Sequence, residues 1–353
     1  MDKRLFDPNA AASSESGIFG LPYTEKEAKL IYLPVPWEAT TSYGAGTSNG
    51  PSAILSASKQ VDLFDRQLGH PYEPGLFLRD ESKEILKWNE QARLDAEIVI
   101  EAGGVKEGQL RLTEAANRVN EMGHRLNEYV YRETKNIIDS GKLAALIGGD
   151  HSVPFGALKA VAEREAEFGV LHIDAHSDTR RAFEGFVWSH ASIMFNVLEE
   201  IPQVKKLVQL GIRDFCEEES VYCRRQGDRV SVFYDEMLLK KSFEGLSWST
   251  IAKEVVQELP EKVWISFDID GLEQRYCPNT GTPVPGGLDF NQAVFLIEAV
   301  AKSKKKIIGF DLCEVAVPQR PEQSGRDEWD ANVGARMLYK MSAWTLFSHG
   351  FLG

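Results

Sequence analysis

Side chains able to bind metal or move protons crowd three short stretches of this chain: GGDHS at 148–152, DAHSD at 174–178 and DID at 268–270. Each follows an apolar, β-branched run. In extended chain, alternate side chains point the same way, so Asp174, His176 and Asp178 share one direction, and so do Asp268 and Asp270. Gathered carboxylates repel one another unless cations neutralise them. Oxygen donors joined by imidazoles suit Mn²⁺, with other first-row divalent ions as alternatives. His151, Asp174, His176, Asp178, Asp268 and Asp270 are too many ligands for one ion if some carboxylates bridge. A pair of ions fits better, and paired ions activate water.

The plain reading of any one of these residues is structural. A lone Asp at a strand end is usually a helix N-cap, and a lone His is usually hydrogen-bonded in the core. His70, His124, His172 and His349 are read that way. Three clusters closing nearby strands are much harder to explain structurally.

Strands must bring these clusters together. Apolar runs starting at Ala28, Leu143, Gly169, Lys206, Val230, Lys262 and Lys306 read as strands, and segments such as TIAKEVVQEL and NQAVFLIEAVAKS between them read as helices. Alternating strands and amphipathic helices imply right-handed βαβ units and a parallel sheet covered on both faces, and nearly continuous apolar strands fit burial on both sides. The fold class expected is three-layer α/β/α around a mostly parallel sheet of about eight strands. Functional groups of such sheets gather outside the carboxyl ends of the strands. Residues from about 80 to 140 are charged and helical in pattern, broken at Gly103–Gly104. They read as a helical insertion or αα-hairpin packed on the sheet, within one domain spanning 1–353.

Composition narrows the partners. Of 353 residues, 43 % are apolar and 26 % charged, with a formal net charge of −13. This is a globular balance, and an acidic one that disfavours nucleic acid and anionic membrane. Cys216, Cys223, Cys277 and Cys313 are scattered without a CxxC pair, and the N-terminal MDKRLFDPNAAASSESG lacks a signal-peptide core. Both features favour the cytoplasm.

GGDHS, DAHSD and SFDIDGLE…TGTPVPGG, in this order, resemble the signature motifs of the ureohydrolase family: arginase, agmatinase, formimidoylglutamase and guanidine hydrolases. The resemblance runs from about Gly17 to the C-terminus. It implies an arginase-like fold, a homo-oligomer (trimer or hexamer), and hydrolysis of a guanidino C–N bond at two Mn²⁺ ions, with Ni²⁺ possible. By similarity, His151, Asp174, Asp178 and Asp268 hold one ion, and His176, Asp174, Asp268 and Asp270 the other. Asp178 would pass a proton to the leaving amine, Glu314 would pair with the guanidinium, and His190 would shuttle protons or contact substrate. Asp150 is expected to orient His151. One departure stands out: Glu273–Gln274 replaces the family's usual Asp-Pro.

The segment TRRAFEGFVWSHAS resembles the agmatinase branch, which also includes guanidine hydrolases. It is expected to line the pocket mouth. Glu184 and Trp188 are the candidate substrate contacts there, while Phe183, Phe186 and Trp37 could stack on a cation or shrink the pocket. Agmatine, yielding putrescine and urea, is the first expectation. Guanidine is second and arginine third. Formimidoylglutamate stays open through Arg180 and Arg181, and a non-catalytic metal-binding relative is the alternative outside the class.

Overall fold

The computed structural model describes residues 6–318 and 328–352, so the first five residues of the N-terminal stretch lie outside it. All seven predicted runs are strands: Leu30–Val35 (β1), Leu143–Gly148 (β3), Phe168–Ile173 (β4), Val204–Ile212 (β5), Val230–Tyr234 (β6), Lys262–Asp268 (β7) and Lys306–Cys313 (β8). An eighth, Leu76–Leu78 (β2), is too short to carry a pattern of its own and is fixed by pairing with β1. The order is β2-β1-β3-β8-β7-β4-β5-β6, with every pairing parallel.

Parity along the strands builds two cores. Leu30 and Tyr32 of β1 and Ala145 and Ile147 of β3 face one layer, formed by Gly50–Ser58 (α1), Trp248–Glu258 (α8), Phe290–Lys302 (α9) and Trp329–Ser348 (α10). Ile31, Leu33, Ala144 and Leu146 face the other, formed by Leu110–Asp139 (α3), Phe155–Ala162 (α4) and Ile193–Glu200 (α5). This is the expected three-layer arrangement, arginase-like in outline. Two further helices, Glu217–Arg225 (α6) and Asp235–Phe243 (α7), lie beside β6. The run VPFGALKAVAEREAEF also reads as helix, but α4 stops at Ala162, and the sheet takes Phe168 as the first residue of β4, its amide donated to the Gln203 carbonyl at 3.0 Å.

Residues 80–140 form an αα-hairpin of Lys83–Glu101 (α2) and α3, turning at Gly103 and Gly104, both at positive φ. Ile85, Ala92, Leu126 and Val130 join the sheet core. Ala96, Val99, Ala115, Ala116 and Val119 close a smaller cluster over Phe186.

Topology decides where the chemistry falls. Leaving β3, the chain passes over the places of β8 and β7 to form β4, and β7 and β8 later fill that gap. The four central strands are therefore β3, β8, β7 and β4, and these are the strands that end in Asp150–His151, Glu314, Asp268–Asp270 and Asp174–Asp178. Among the described residues no helix is long and apolar enough to cross a membrane.

Candidate metal and substrate site

His151 is the hub. Its Nδ1 lies 2.9 Å from Asp174 Oδ2, 3.4 Å from Asp178 Oδ2 and 3.4 Å from Asp268 Oδ2. Its Nε2 faces away, 2.9 Å from Ser266 Oγ, which donates to Asp311 Oδ1 at 2.9 Å. The His176 ring sits on the other side, with Nδ1 3.1 Å from Asp270 Oδ2 and 3.4 Å from Asp174 Oδ1. Asp174 thus faces both imidazoles. Asp268 stands beside it, its Oδ1 accepting the Asp270 amide at 2.8 Å.

The expectation that Asp150 orients His151 is overturned. Asp150 accepts from Ser152 and from the Thr40 hydroxyl, whereas Ser266 and Asp311 hold the ring. Parity could have shown this: Ser266 precedes Asp268 by two residues, so it points to the same side, one step deeper. His172 is a packed histidine, as read. Its Nε2 meets Asp174 Oδ2 at 2.8 Å, and its Nδ1 accepts from Gln209 Nε2 at 3.0 Å.

Burial sets the electrostatics. Desolvation, then the charges of Asp270 and Asp174, push Asp268 well above the carboxylate range. Burial, then Asp174, raises Asp178 to about 6. Burial, then Asp150, pushes Glu314 well up. Burial alone would raise Asp174 too, but His172, His151 and His176 outweigh it and hold it well down. Desolvation disfavours the charged His176, yet Asp270 and Asp174 raise it well above an ordinary histidine. These groups strain toward sharing positive charge, which a multivalent cation supplies. Asp270 Oδ2 is buried with the His176 ring, 3.1 Å away, as its close polar neighbour and no other hydrogen-bond partner among the described residues. The donor set therefore fits divalent metal, with His151, His172, Asp174 and Asp178 in one group of close ligand atoms and Asp174, His176 and Asp270 in another.

Asp178 and Glu314 both sit at positive φ, 54° and 63°, which costs of order 1–3 kcal/mol per residue for non-glycine. Hydrogen bonds hold each in place. The Asp178 carbonyl accepts the amides of Met194 and Phe195, while Glu314 donates its amide to Gly149 and accepts from Thr280 Oγ1. At Gly149 a Cβ would lie 1.9 Å from the Trp37 carbonyl oxygen, so only glycine lets the loops after β1 and β3 close together.

Glu314 forms the floor of a narrow cleft between Thr41–Gly44 and Gly281–Thr282, with His190 on its wall. Outside it a cavity of about 170 Å³ is lined by His176, Asp178, Arg180, Phe183, His190 and Asp214 among others. The His190 Nδ1 lies 3.2 Å from Thr40 Oγ1, and burial, then the cationic His176 and His151, lowers its pKa to about 4.

The two tentative mouth residues are placed elsewhere. The carbonyl of Glu184 accepts the Val105 amide at 3.1 Å, and its Oε2 is buried under the hairpin. Trp188 packs on Phe155, ring centroids 4.8 Å apart, and against Gly123 of α3. Neither lines the cavity. Phe186 and Trp37 are core residues, so of the aromatics expected at the mouth only Phe183 is there. Tyr43, 87 % exposed, and Phe215, 38 % exposed, stand there instead. In place of Asp-Pro, Glu273 builds its own turn by accepting the Arg275 amide and pairing with that guanidinium at 2.8 Å.

Comparison with known proteins agrees with this geometry. The model of the arginase family matches residues 28–343. An N(1)-aminopropylagmatine ureohydrolase of Thermus thermophilus is 33 % identical over 297 residues, 84 % of each chain. A guanidinobutyrase of Pseudomonas aeruginosa is 27 % identical over 361 residues, 97 % of each. The crystal structure of an agmatine ureohydrolase from Thermoplasma volcanium superposes with a TM-score of 0.70 at 21 % identity, over 96 % of this chain and 97 % of that one. The match spans every strand end that carries a site residue, and the chain belongs to the arginase family, the ureohydrolase enzymes.

Proposed function

We propose that the enzyme hydrolyses the C–N bond of a guanidino compound whose alkyl arm ends in a cation, with agmatine the first candidate, releasing urea. The observation that carries this reading is Glu314. It is a buried carboxylate at the floor of the cleft, with Oε1 tied to the His151 amide at 2.8 Å. A carboxylate accepts a planar guanidinium fork bidentately, and anchoring it to the backbone of the hub residue fixes the guanidinium carbon relative to the ligand cluster.

The ligand set is read as holding two Mn²⁺ ions, with Ni²⁺ as the alternative. His151, Asp174, Asp178 and Asp268 would hold one, and His176, Asp174, Asp268 and Asp270 the other, with Asp174 and Asp268 shared. When bound, such a pair supplies Lewis acidity and a lowered pKa for water. The chain's own groups do the rest. Glu314 orients the guanidinium. Asp178 would pass a proton to the departing amine. His190, kept neutral by burial at the cleft wall, would shuttle protons there.

The shape and charge of the mouth support an arm. Guanidine alone would suit a closed pocket, but the cleft opens past Phe215 and the exposed Tyr43. Asp178, Asp214 and Glu219 line the cavity, while its guanidinium, Arg180, is already 3.5 Å from Glu219. A cationic end fits that balance better than a carboxylate. Arg180 is also what favours a second reading, a guanidino acid, of the kind named for the Pseudomonas relative. Scattered free thiols support a reducing, cytoplasmic setting, and the family resemblance supports a homo-oligomer.

Urea release from agmatine, N(1)-aminopropylagmatine, 4-guanidinobutyrate, arginine and guanidine, after Mn²⁺ or Ni²⁺ loading, tests the proposal. The cationic-arm compounds should turn over fastest. Preference for 4-guanidinobutyrate overturns the arm assignment, and no urea from any of them overturns the reaction.

A further inference from the structure

The catalytic reading leaves the α2–α3 hairpin without a task. Besides its ion pairs with Arg79, Lys159 and Arg164, it sends Asn89, Arg93 and Asn120 to the backbone of two loops, one on each side of the cleft.

The first loop follows β1 and carries Thr40. Glu38 ties its ends together by accepting the amides of Gly46, at 2.6 Å, and Ser48, at 3.1 Å. Helix α2 then grips it from outside. Asn89 Oδ1 accepts the Glu38 amide at 2.7 Å, and Arg93 Nη1 donates to both the carbonyl and the hydroxyl of Thr41, the latter at 3.0 Å. The second loop leads to His190. Here Asn120 of α3 uses both ends of its amide, donating from Nδ2 to the Gly185 carbonyl at 3.0 Å and accepting the Val187 amide at 2.8 Å. Backbone groups in loops lack ladder partners and must find others; these find theirs in the hairpin.

The loops meet at the Thr40 hydroxyl. Thr40 Oγ1 lies 3.2 Å from His190 Nδ1 and 3.3 Å from the His190 amide, and it donates to Asp150 Oδ2 at 3.4 Å. A hydroxyl has one proton. With that proton on the Asp150 carboxylate, Oγ1 accepts from Nδ1–H, and the free lone pair of His190 is left on Nε2.

From this geometry we infer that the hairpin is a jig. Arg93 and Asn120 are positioning residues that hold the two loops in register, so that Thr40 fixes the orientation and tautomer of His190. The inference deepens the proposed function and rests on the proton-carrying role given there to His190. It assigns neither residue a contact with substrate.

The test uses the Mn²⁺-loaded full-length protein with the best guanidino substrate. Arg93→Ala and Asn120→Ala should each lower kcat about 10- to 100-fold, as loss of sub-ångström placement does, with metal content unchanged. Arg93→Lys should recover part of the loss. A control on the same hairpin, Arg125→Ala, removes only a surface ion pair and should match the parent. Thr40→Val added to Arg93→Ala should cost little further, because both act through one contact. Hydrogen exchange should quicken in residues 38–47 for the Arg93 variant and in 183–188 for the Asn120 variant. Parent-like kcat in both alanine variants, metal loss accompanying the rate loss, or additive effects of Thr40 and Arg93 would each overturn the jig. If the parent releases no urea, the proposed function fails instead. The exchange data, with ¹⁵N spectra of the His190 ring showing Nδ1–H in the parent and its loss in Arg93→Ala, still judge the jig.

Discussion

The carboxylate of Glu314 at the end of β8 accepts the backbone amide of His151 at the end of β3, at 2.8 Å. The group read as the guanidinium partner and the hub of the ligand cluster are thus joined across neighbouring strands. Glu314→Gln keeps the shape and can still accept that amide, but it loses the charge that a guanidinium needs. Losing a charge-assisted hydrogen bond costs about 1.5–3 kcal/mol, roughly tenfold to a hundredfold in rate. The variant should retain its metal and lose most of its activity. Undiminished turnover with full metal would make Glu314 purely structural.

Asp268 faces His151 Nδ1 and stands between two other aspartates whose charges push it up. Asp268→Asn removes a charge shared by both proposed ions. Metal analysis after reconstitution should give two ions per chain for the parent and fewer for the variant. Saturation at one ion in the parent would defeat the binuclear reading. Bound metal should also raise the melting temperature, because a ligand at 1,000 times its Kd adds about 4 kcal/mol of stability.

His190 provides a pH signature in the metal-free protein. Its folded pKa, about 4, lies below that of an unfolded histidine, because burial and then His176 and His151 oppose its charge. The unfolded chain therefore takes the proton first. His190 costs nothing at neutral pH, and stability is lost as pH falls from about 6.5 to about 4. His190→Gln should flatten that part of the curve of urea midpoint against pH. An identical slope in parent and variant would show that the ring is not held neutral by its surroundings.

Trp188 reads from the sequence as a substrate contact, but it is a brace between α3 and α4. Trp188→Ala should destabilise the protein by about 3 kcal/mol and leave the preference among guanidino compounds unchanged. Denaturant titration and a substrate panel on the same preparation check both halves.

Selectivity should follow Arg180, which lines the cavity, rather than Glu184, which lies beneath the hairpin. Arg180→Ala should raise KM for 4-guanidinobutyrate relative to agmatine, since it removes the cation at the mouth. Glu184→Gln should leave the ratio as it was. A shift caused by Glu184 alone would mean that the mouth is read by the wrong residue here.

Much of this protein was legible before folding. Apolar runs placed every strand but β2, because that signal is local; the parity expected of Asp174, His176 and Asp178 does not hold, since β4 ends at Ile173 and Asp178 sits at positive φ, so the loop brings them together. The motifs carried the family for the same reason: the ligands are close in sequence wherever one strand supplies several. Contacts between distant segments were not legible. Ser266 and Asp311, rather than Asp150, orient His151, because strand register, not sequence proximity, decides which polar group stands behind a ring. The segment 183–188 looked like a pocket wall, yet its Glu184 and Trp188 serve the hairpin and only Phe183 reaches the cavity. A loop's side chains take their direction from whatever packs over them. Here that is α2 and α3, more than 50 residues upstream at Asn120–Gly185, where the separation is 65. The sequence by itself determined the clustered His and Asp residues, the strands that carry them and the family. The tertiary structure alone decided which loops are held, by what, and where the cleft opens, since those follow from long-range packing that no local pattern encodes.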